Sequence, residues 1–135
     1  MYRVDSSGIR FAAITPIVEE LRAHDAVLAL ILFGSVAKDC ARPFSDIDLC
    51  IVTKEKIPDA VRMDLLSYGS RTIDVSIFSD LPVQIRFRVL REGRILFCKD
   101  PLALHRLTAA TVREYLDFEP FLRRHCLHAI TAAGG

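Results

Sequence analysis

The sequence predicts an α/β (α+β) domain, in which a small mixed β-sheet is flanked by helices and followed by a long C-terminal helix. Three observations carry that expectation. Short apolar runs rich in aliphatic and β-branched residues alternate with segments of helical spacing. Proline opens three of the helical segments, at 58, 82 and 101, and glycine stands just past two of them, at 69 and 93. Finally, 135 residues of 51% hydrophobic composition suffice for one compact core and leave no room for a second substrate-binding domain.

The elements follow in order. Between Ile9 and Ala23, apolar residues at 9, 13, 14, 17, 18 and 21 mark an amphipathic first helix, with Ser6-Ser7 upstream as caps and Pro16 as a kink. Ala26 to Phe33 is an unbroken apolar run, which reads as a strand buried on both faces and ended by Gly34-Ser35. Ile47–Thr53 and Thr72–Phe78 are a second and a third strand. Pro58–Tyr68 is the helical crossover between them, and Pro82–Glu92 a further helix. Arg94–Cys98 follows as a short additional strand, and Pro101–Ile130 as a long helix interrupted by Pro120. The whole chain, 1–135, is expected to be a single domain, with a core over about 9–100 and a helical segment over 101–131.

Charge and composition exclude several roles. With 18 Lys and Arg against 17 Asp and Glu, net +1, the chain lacks the field that draws a basic protein onto nucleic acid, so no direct nucleic-acid binding is expected. The longest apolar run is too short to cross a bilayer, and the first residues do not resemble an export signal; a cytoplasmic protein is expected. Cys40, Cys50, Cys98 and Cys126 form no Cys-x-x-Cys pair, and they read as free thiols. His125-Cys126-Leu127-His128 places two imidazoles about one helical turn apart, but with no further ligand close in sequence it is assigned no metal.

The chemistry gathers elsewhere. Gly34-Ser35 directly after the first strand can turn backbone amides and a hydroxyl toward a phosphate. The glycine positions permit neither Gly-x-Gly-x-x-Gly nor a Walker loop. In Ser45-Asp46-Ile47-Asp48-Leu49, two carboxylates at i and i+2 enter an apolar strand and must share a face. At ~6 Å and an effective dielectric of about 20, they repel by roughly 2 to 3 kcal/mol. A divalent cation removes that cost, and hard oxygens without a nearby His or Cys suit Mg²⁺. Asp74 is a lone acid in the β-branched run 72–78, where a buried charge is costly without a partner. If the third strand pairs with the second, Asp46, Asp48 and Asp74 converge on a site suited to two-metal phosphoryl or nucleotidyl transfer.

These residues resemble a known family. Gly34-Ser35, ten intervening residues, Asp46-x-Asp48 and a later strand-borne Asp74 are similar to the minimal nucleotidyltransferases of the DNA polymerase β superfamily. The stretches Phe87–Arg94, Lys99-Asp100-Pro101 and Arg113–Phe118 further resemble the MntA-type antitoxins of HEPN/MNT toxin–antitoxin pairs. The resemblance implies that Gly34, Ser35, Lys38 and Ser45 bind the nucleotide, that Asp46, Asp48 and Asp74 hold two Mg²⁺ ions, and that Asp74 assists deprotonation. It also implies ATP as donor, a tyrosine of a cognate HEPN ribonuclease as acceptor, and silencing of that toxin by AMPylation. Lys38-Asp39 stands where the family commonly has Arg-Gly, so the position offers a point charge but no bidentate fork.

Two other readings stay open: a module that neutralises a toxin by contact alone, and a nucleotidyltransferase acting on a small molecule, working as a homodimer. Arg86, Arg88, Arg91 and Arg94 bunch around Gly93 as a solvated face or as contacts to phosphate or an acidic partner. In the last helix, Val112, Tyr115, Leu116, Leu122 and Cys126 are expected to face the core, with Phe118 and Phe121 off that stripe.

Overall fold

The structure is a computed structural model that describes the backbone of residues 8–33 and 47–134, and their side chains apart from those of 8–13, 122 and 125–134. Its elements are α1 (Gly8–Ala23), β1 (Val27–Phe33), β2 (Ile47–Thr53), α2 (Asp59–Leu66), β3 (Ile73–Ile77), α3 (Val83–Glu92), β4 (Arg94–Cys98) and α4 (Pro101–Gly134), with a 3-10 turn at Phe78–Asp80 between β3 and α3. The four strands form one mixed sheet in the order β3-β2-β1-β4. β1 is antiparallel to both β2 and β4, whereas β2 and β3 run parallel through the α2 crossover.

The apolar run of β1 explains its central place. Val27 to Leu32 are all buried, which only a strand paired on both edges and covered on both faces can achieve. On one face, Leu30, Leu32, Leu49, Ile51, Ile73 and Ile77 pack with Ile14 and Leu21 of α1 and Leu65 of α2. On the other, Ala29, Ile31, Cys50 and Val52 pack with Val89 of α3 and Leu104 of α4. The period-2 alternation of β2 therefore divides its side chains: 47, 49 and 51 face α1 and α2, and 48, 50 and 52 face α3 and α4.

Several local features match the residues that form them. Pro58 and Pro82 precede the first residues of α2 and α3, and their carbonyls accept from Arg62 and Arg86 at 3.0 and 2.9 Å. His24 closes the α1–β1 turn: its Nδ1 accepts from the Ala26 amide at 3.1 Å, and Nε2 lies 3.1 Å from an Asp64 carboxylate oxygen on α2. Between α3 and α4, Phe87 stacks on Tyr115 with ring centroids 4.0 Å apart, and Arg86 grips both carboxylate oxygens of Glu114 at 3.2 and 2.8 Å. Arg86 Nε also donates to the Leu81 carbonyl at 2.9 Å, so this arginine staples two helices and a turn.

Two sequence expectations need correction. α4 is not interrupted at Pro120 but runs continuously from Pro101 to Gly134. Proline removes the amide that would bond the Leu116 carbonyl, yet Leu116 is 62% exposed and Pro120 is exposed too, so water can satisfy that carbonyl. Leu116 consequently does not face the core; the inward edge of α4 carries Leu104, Leu107 and Thr111, and then Tyr115 against Phe87. Leu122 and Cys126 lie outside the described side chains. Among the described residues, no helix is long and apolar enough to cross a membrane.

The Arg86–Glu114 staple makes a pH prediction. The hydrogen bond from Arg86, with its charge, holds the Glu114 carboxyl below its ordinary value. A depressed carboxylate contributes stability above the ordinary range of about 4.3 and loses it as pH falls through the folded value. Arg86→Ala should therefore lower the melting temperature at pH 7, and the gap to the wild type should narrow as pH is brought below 4. A gap that stays constant over that range would show that Arg86 acts through packing alone.

Candidate active site

β2 and β3 are joined in register, Ile47 with Ile73, Asp48 with Asp74, Leu49 with Val75 and Cys50 with Ser76. The Ile47 amide donates to the Thr72 carbonyl at 2.9 Å, so the pairing begins at the residue before this carboxylate pair. Neighbouring strands lie ~4.8 Å apart, and paired residues project to the same side of a sheet. Asp48 and Asp74 are thus side by side on the face shared with Cys50 and Val52. Asp48 is half-buried and Asp74 exposed.

The third neighbour in the row is Phe33, the last residue of β1, paired with Asp48 from the opposite edge of β2 and packed against the α3–α4 core. The carboxylates therefore have an apolar wall on the β1 side. Below them, the Cys50 thiol is fully buried and hydrogen-bonded by Ser76; burial pushes it up to about 12, against a weaker opposing effect of Ser76. Ser76, paired with Cys50 and two residues beyond Asp74 on the same face, is marked in the sequence by that spacing alone. Cys50 is a packing group, and Cys98 is a partly exposed free thiol. Cysteine-reactive probes should label Cys98 in the native protein and reach Cys50 only on unfolding, as peptide mapping by mass spectrometry would show; native labelling of Cys50 would contradict its burial.

Gly34, Ser35, Lys38, Ser45 and Asp46 lie outside the described residues, as do Asp39 and the side chains of His125, Cys126 and His128. Within the described set, the chain places Asp48 and Asp74 together and directs Arg86 elsewhere, onto Glu114. Arg91 pairs with Glu92 at 2.5 Å and lies over the Phe87 ring, whereas Arg88 is exposed. No group of three or more metal-binding side chains occurs among the described residues. The chemistry of the donors nonetheless fits a hard divalent cation: two carboxylates on adjacent strands repel each other, and oxygen ligands of this kind are what Mg²⁺ takes.

The end of α3 closes on this part of the sheet through Gly93. A Cβ built there would come within 2.4 Å of Ile31 Cγ2 and of the Val89 carbonyl, and within 3.3 Å of the Leu32 carbonyl. The absence of a side chain at 93 is what lets α3 meet the end of β1 that leads, through Phe33, to the carboxylates.

Comparison with known proteins agrees with this architecture. Residues 15–102 match the model of the family described as polymerase beta, nucleotidyltransferase. A Methanocaldococcus jannaschii protein, whose name assigns it provisionally as a protein adenylyltransferase, is 28% identical over 71 residues. That match spans 53% of this chain and 56% of the relative, so the chain covers only about half the length of the curated protein it resembles. A crystal structure of a toxin–antitoxin with AMP-PNP superposes with a TM-score of 0.67 at 18% identity, covering 85% of this chain and 95% of that one. A structure of a tri-AMPylated Shewanella oneidensis HEPN toxin in complex with MNT antitoxin gives a TM-score of 0.64 at 16% identity, over 90% and 98% of the two chains. At such identities the likeness is one of fold, but the family match extends over more than half of the sequence and includes both strands that carry the paired aspartates. The chain belongs to the polymerase beta nucleotidyltransferase family.

Proposed function

We propose that this chain transfers AMP from ATP to a tyrosine hydroxyl of a HEPN ribonuclease toxin, in a Mg²⁺-dependent reaction, and so acts as the antitoxin of the pair in the cytoplasm. The observation that carries the reading is the in-register pair Asp48–Asp74 on parallel strands, set on an exposed stretch of an otherwise packed face. Asp46, two residues before Asp48, is proposed as the third carboxylate, and Gly34, Ser35, Lys38 and Ser45 as the nucleotide contacts. The kinship of fold with toxin–antitoxin structures, one with a nucleotide analogue and one with an AMPylated HEPN toxin, supports the donor and the acceptor class.

In this reading Asp46, Asp48 and Asp74 would hold two Mg²⁺ ions, which would supply positive charge to offset that of the triphosphate. The protein's own groups do the rest. Asp74, the more exposed of the described pair, accepts the proton of the incoming hydroxyl. The acceptor oxygen forms its bond to the α-phosphorus of ATP, the bond from that phosphorus to the bridging oxygen breaks, and pyrophosphate leaves. Phe33 shields one side of the carboxylates from water, strengthening their hold on a cation.

The test is to incubate the chain with a HEPN toxin from the same organism, ATP and Mg²⁺, and to weigh both proteins intact. One or more AMP-sized increments on the toxin, with loss of its ribonuclease activity, are expected. Unchanged masses with a silenced toxin would instead favour neutralisation by contact.

A further inference from the structure

At the end of β2 away from Asp48, a cavity of about 480 Å³ opens between that strand, α2, the 3-10 turn after β3, and α4. Its volume falls within the range of roughly 300 to 1,000 Å³ that small-molecule sites occupy. Thr53, on its wall, lies five residues beyond Asp48 on the same strand, roughly 16 Å away, so the cavity is separate from the carboxylate pair. The apolar lining consists of Val52 and Phe78, both almost wholly buried, with the half-buried Ile57 and Leu107. The charged lining is mainly cationic. Lys54, Lys56 and Arg62 stand against one carboxylate, Glu55, and neither lysine pairs with it or with any other acid among the described residues. Lys99 responds to the same excess of positive charge. Its ammonium donates to the His24 carbonyl at 2.6 Å and is held below its ordinary value by burial and then by the Lys54 charge, against a smaller opposing effect of Asp25.

Arg62 is half-buried and already held in place. Its Nη1 donates to an Asp80 carboxylate oxygen, which leaves Nη2 and Nε, the two-pronged edge of the guanidinium, without a partner among the described residues. Such an edge takes two oxygens of one phosphate or carboxylate group. Thr53 and Ser79 add hydroxyl donors to the lining. A phosphate monoester, with three terminal oxygens and a charge of about −1.5 to −2, uses more of these donors than a carboxylate does. We propose that this cavity binds a small phosphate monoester with an apolar, ring-sized body, its phosphate on Arg62, Lys54 and Lys56 and its body against Ile57, Phe78 and Leu107. The site is additional to the transfer reaction proposed above and does not depend on it.

The test titrates phenyl phosphate into isotope-labelled protein in the presence of chelator and follows the backbone amides by NMR. Saturable shifts are expected at 52–57 and at Ser79. The affinity should exceed that for inorganic phosphate, or for phenol, by roughly tenfold or more, because each of these supplies only half of the ligand. Lys54→Gln combined with Lys56→Gln, and Arg62→Gln, should each weaken binding by roughly tenfold or more, the contribution of a charge-assisted hydrogen bond. The same spectra show that the variants are folded; both lysines are exposed, so their variant serves if loss of the Asp80 pair disturbs Arg62→Gln. Asp48→Asn should bind phenyl phosphate like the wild type. Shifts confined to 47–49 and 73–75 would place binding at the carboxylates and overturn the proposal. The absence of any saturable shift, or wild-type affinity in the folded lysine variant, would overturn it too. Benzoate bound as tightly as phenyl phosphate would overturn the choice of phosphate, and inorganic phosphate bound as tightly would overturn the apolar body.

Discussion

Asp48→Asn and Asp74→Asn should each reduce AMP transfer by about 10³-fold or more while leaving the fold intact. The magnitude follows from what a metal-binding carboxylate would supply: several kcal/mol of charge stabilisation in the transition state, at about 1.4 kcal/mol for each tenfold in rate. The fold should survive because Asp74 is exposed and packs no core, and asparagine keeps its shape. With Asp74 neutral, its repulsion of the in-register Asp48 is gone, so the Asp74→Asn melting temperature in chelator should be no lower than that of the wild type. Initial rates of label transfer from α-phosphate-labelled ATP, beside thermal melts in chelator, check both halves. An active Asp74→Asn would remove the residue from the site; an inactive one that also melts early would make its role structural.

Gly93→Ala should destabilise the protein by about 1 to 3 kcal/mol, the cost of overpacking a close-packed interior. The new methyl would meet Ile31 Cγ2 and the Val89 carbonyl, both at 2.4 Å. The carbonyl is backbone, and Ile31 of β1 is buried in the cluster that holds Val89 of α3, so neither can give way without moving an element. Gly93 has an ordinary extended backbone, with φ −75, so the cost is steric. Chemical denaturation should show a lower midpoint with an unchanged slope. Since Gly93 abuts the end of β1 next to Phe33, loss of activity at temperatures where the variant is still folded is expected as well. A midpoint equal to that of the wild type would mean that α3 can shift off the sheet at little cost.

Much of this fold was legible because each element advertised itself. The run Ala26–Phe33 reads as a strand buried on both faces, as β1 is, and the proline and glycine punctuation placed α2 and α3 to within a residue or two. Asp74 was singled out as an acid in a β-branched run, and the parallel register then set it beside Asp48. Pairing of β2 with β3 was an assumption at that point, since sequence spacing does not reveal which strands are neighbours. α4 was read less well. Of the expected inward stripe Val112, Tyr115, Leu116, Leu122 and Cys126, Tyr115 does pack inward, on Phe87, but that stack and the Arg86–Glu114 staple, invisible in sequence, leave Leu116 facing out. Arg86 likewise sat in a cluster of four arginines with nothing to single it out until Glu114 came opposite.

The most direct check on the central proposal, that aspartates from β2 and β3 jointly hold the catalytic cation, is the binding of Mn²⁺ in the presence of ATP, followed by electron paramagnetic resonance. The account predicts protein-dependent Mn²⁺ sites in the wild type, lost in Asp48→Asn and weakened at least tenfold in Asp74→Asn. Mn²⁺ bound equally well by the wild type and both variants would contradict it.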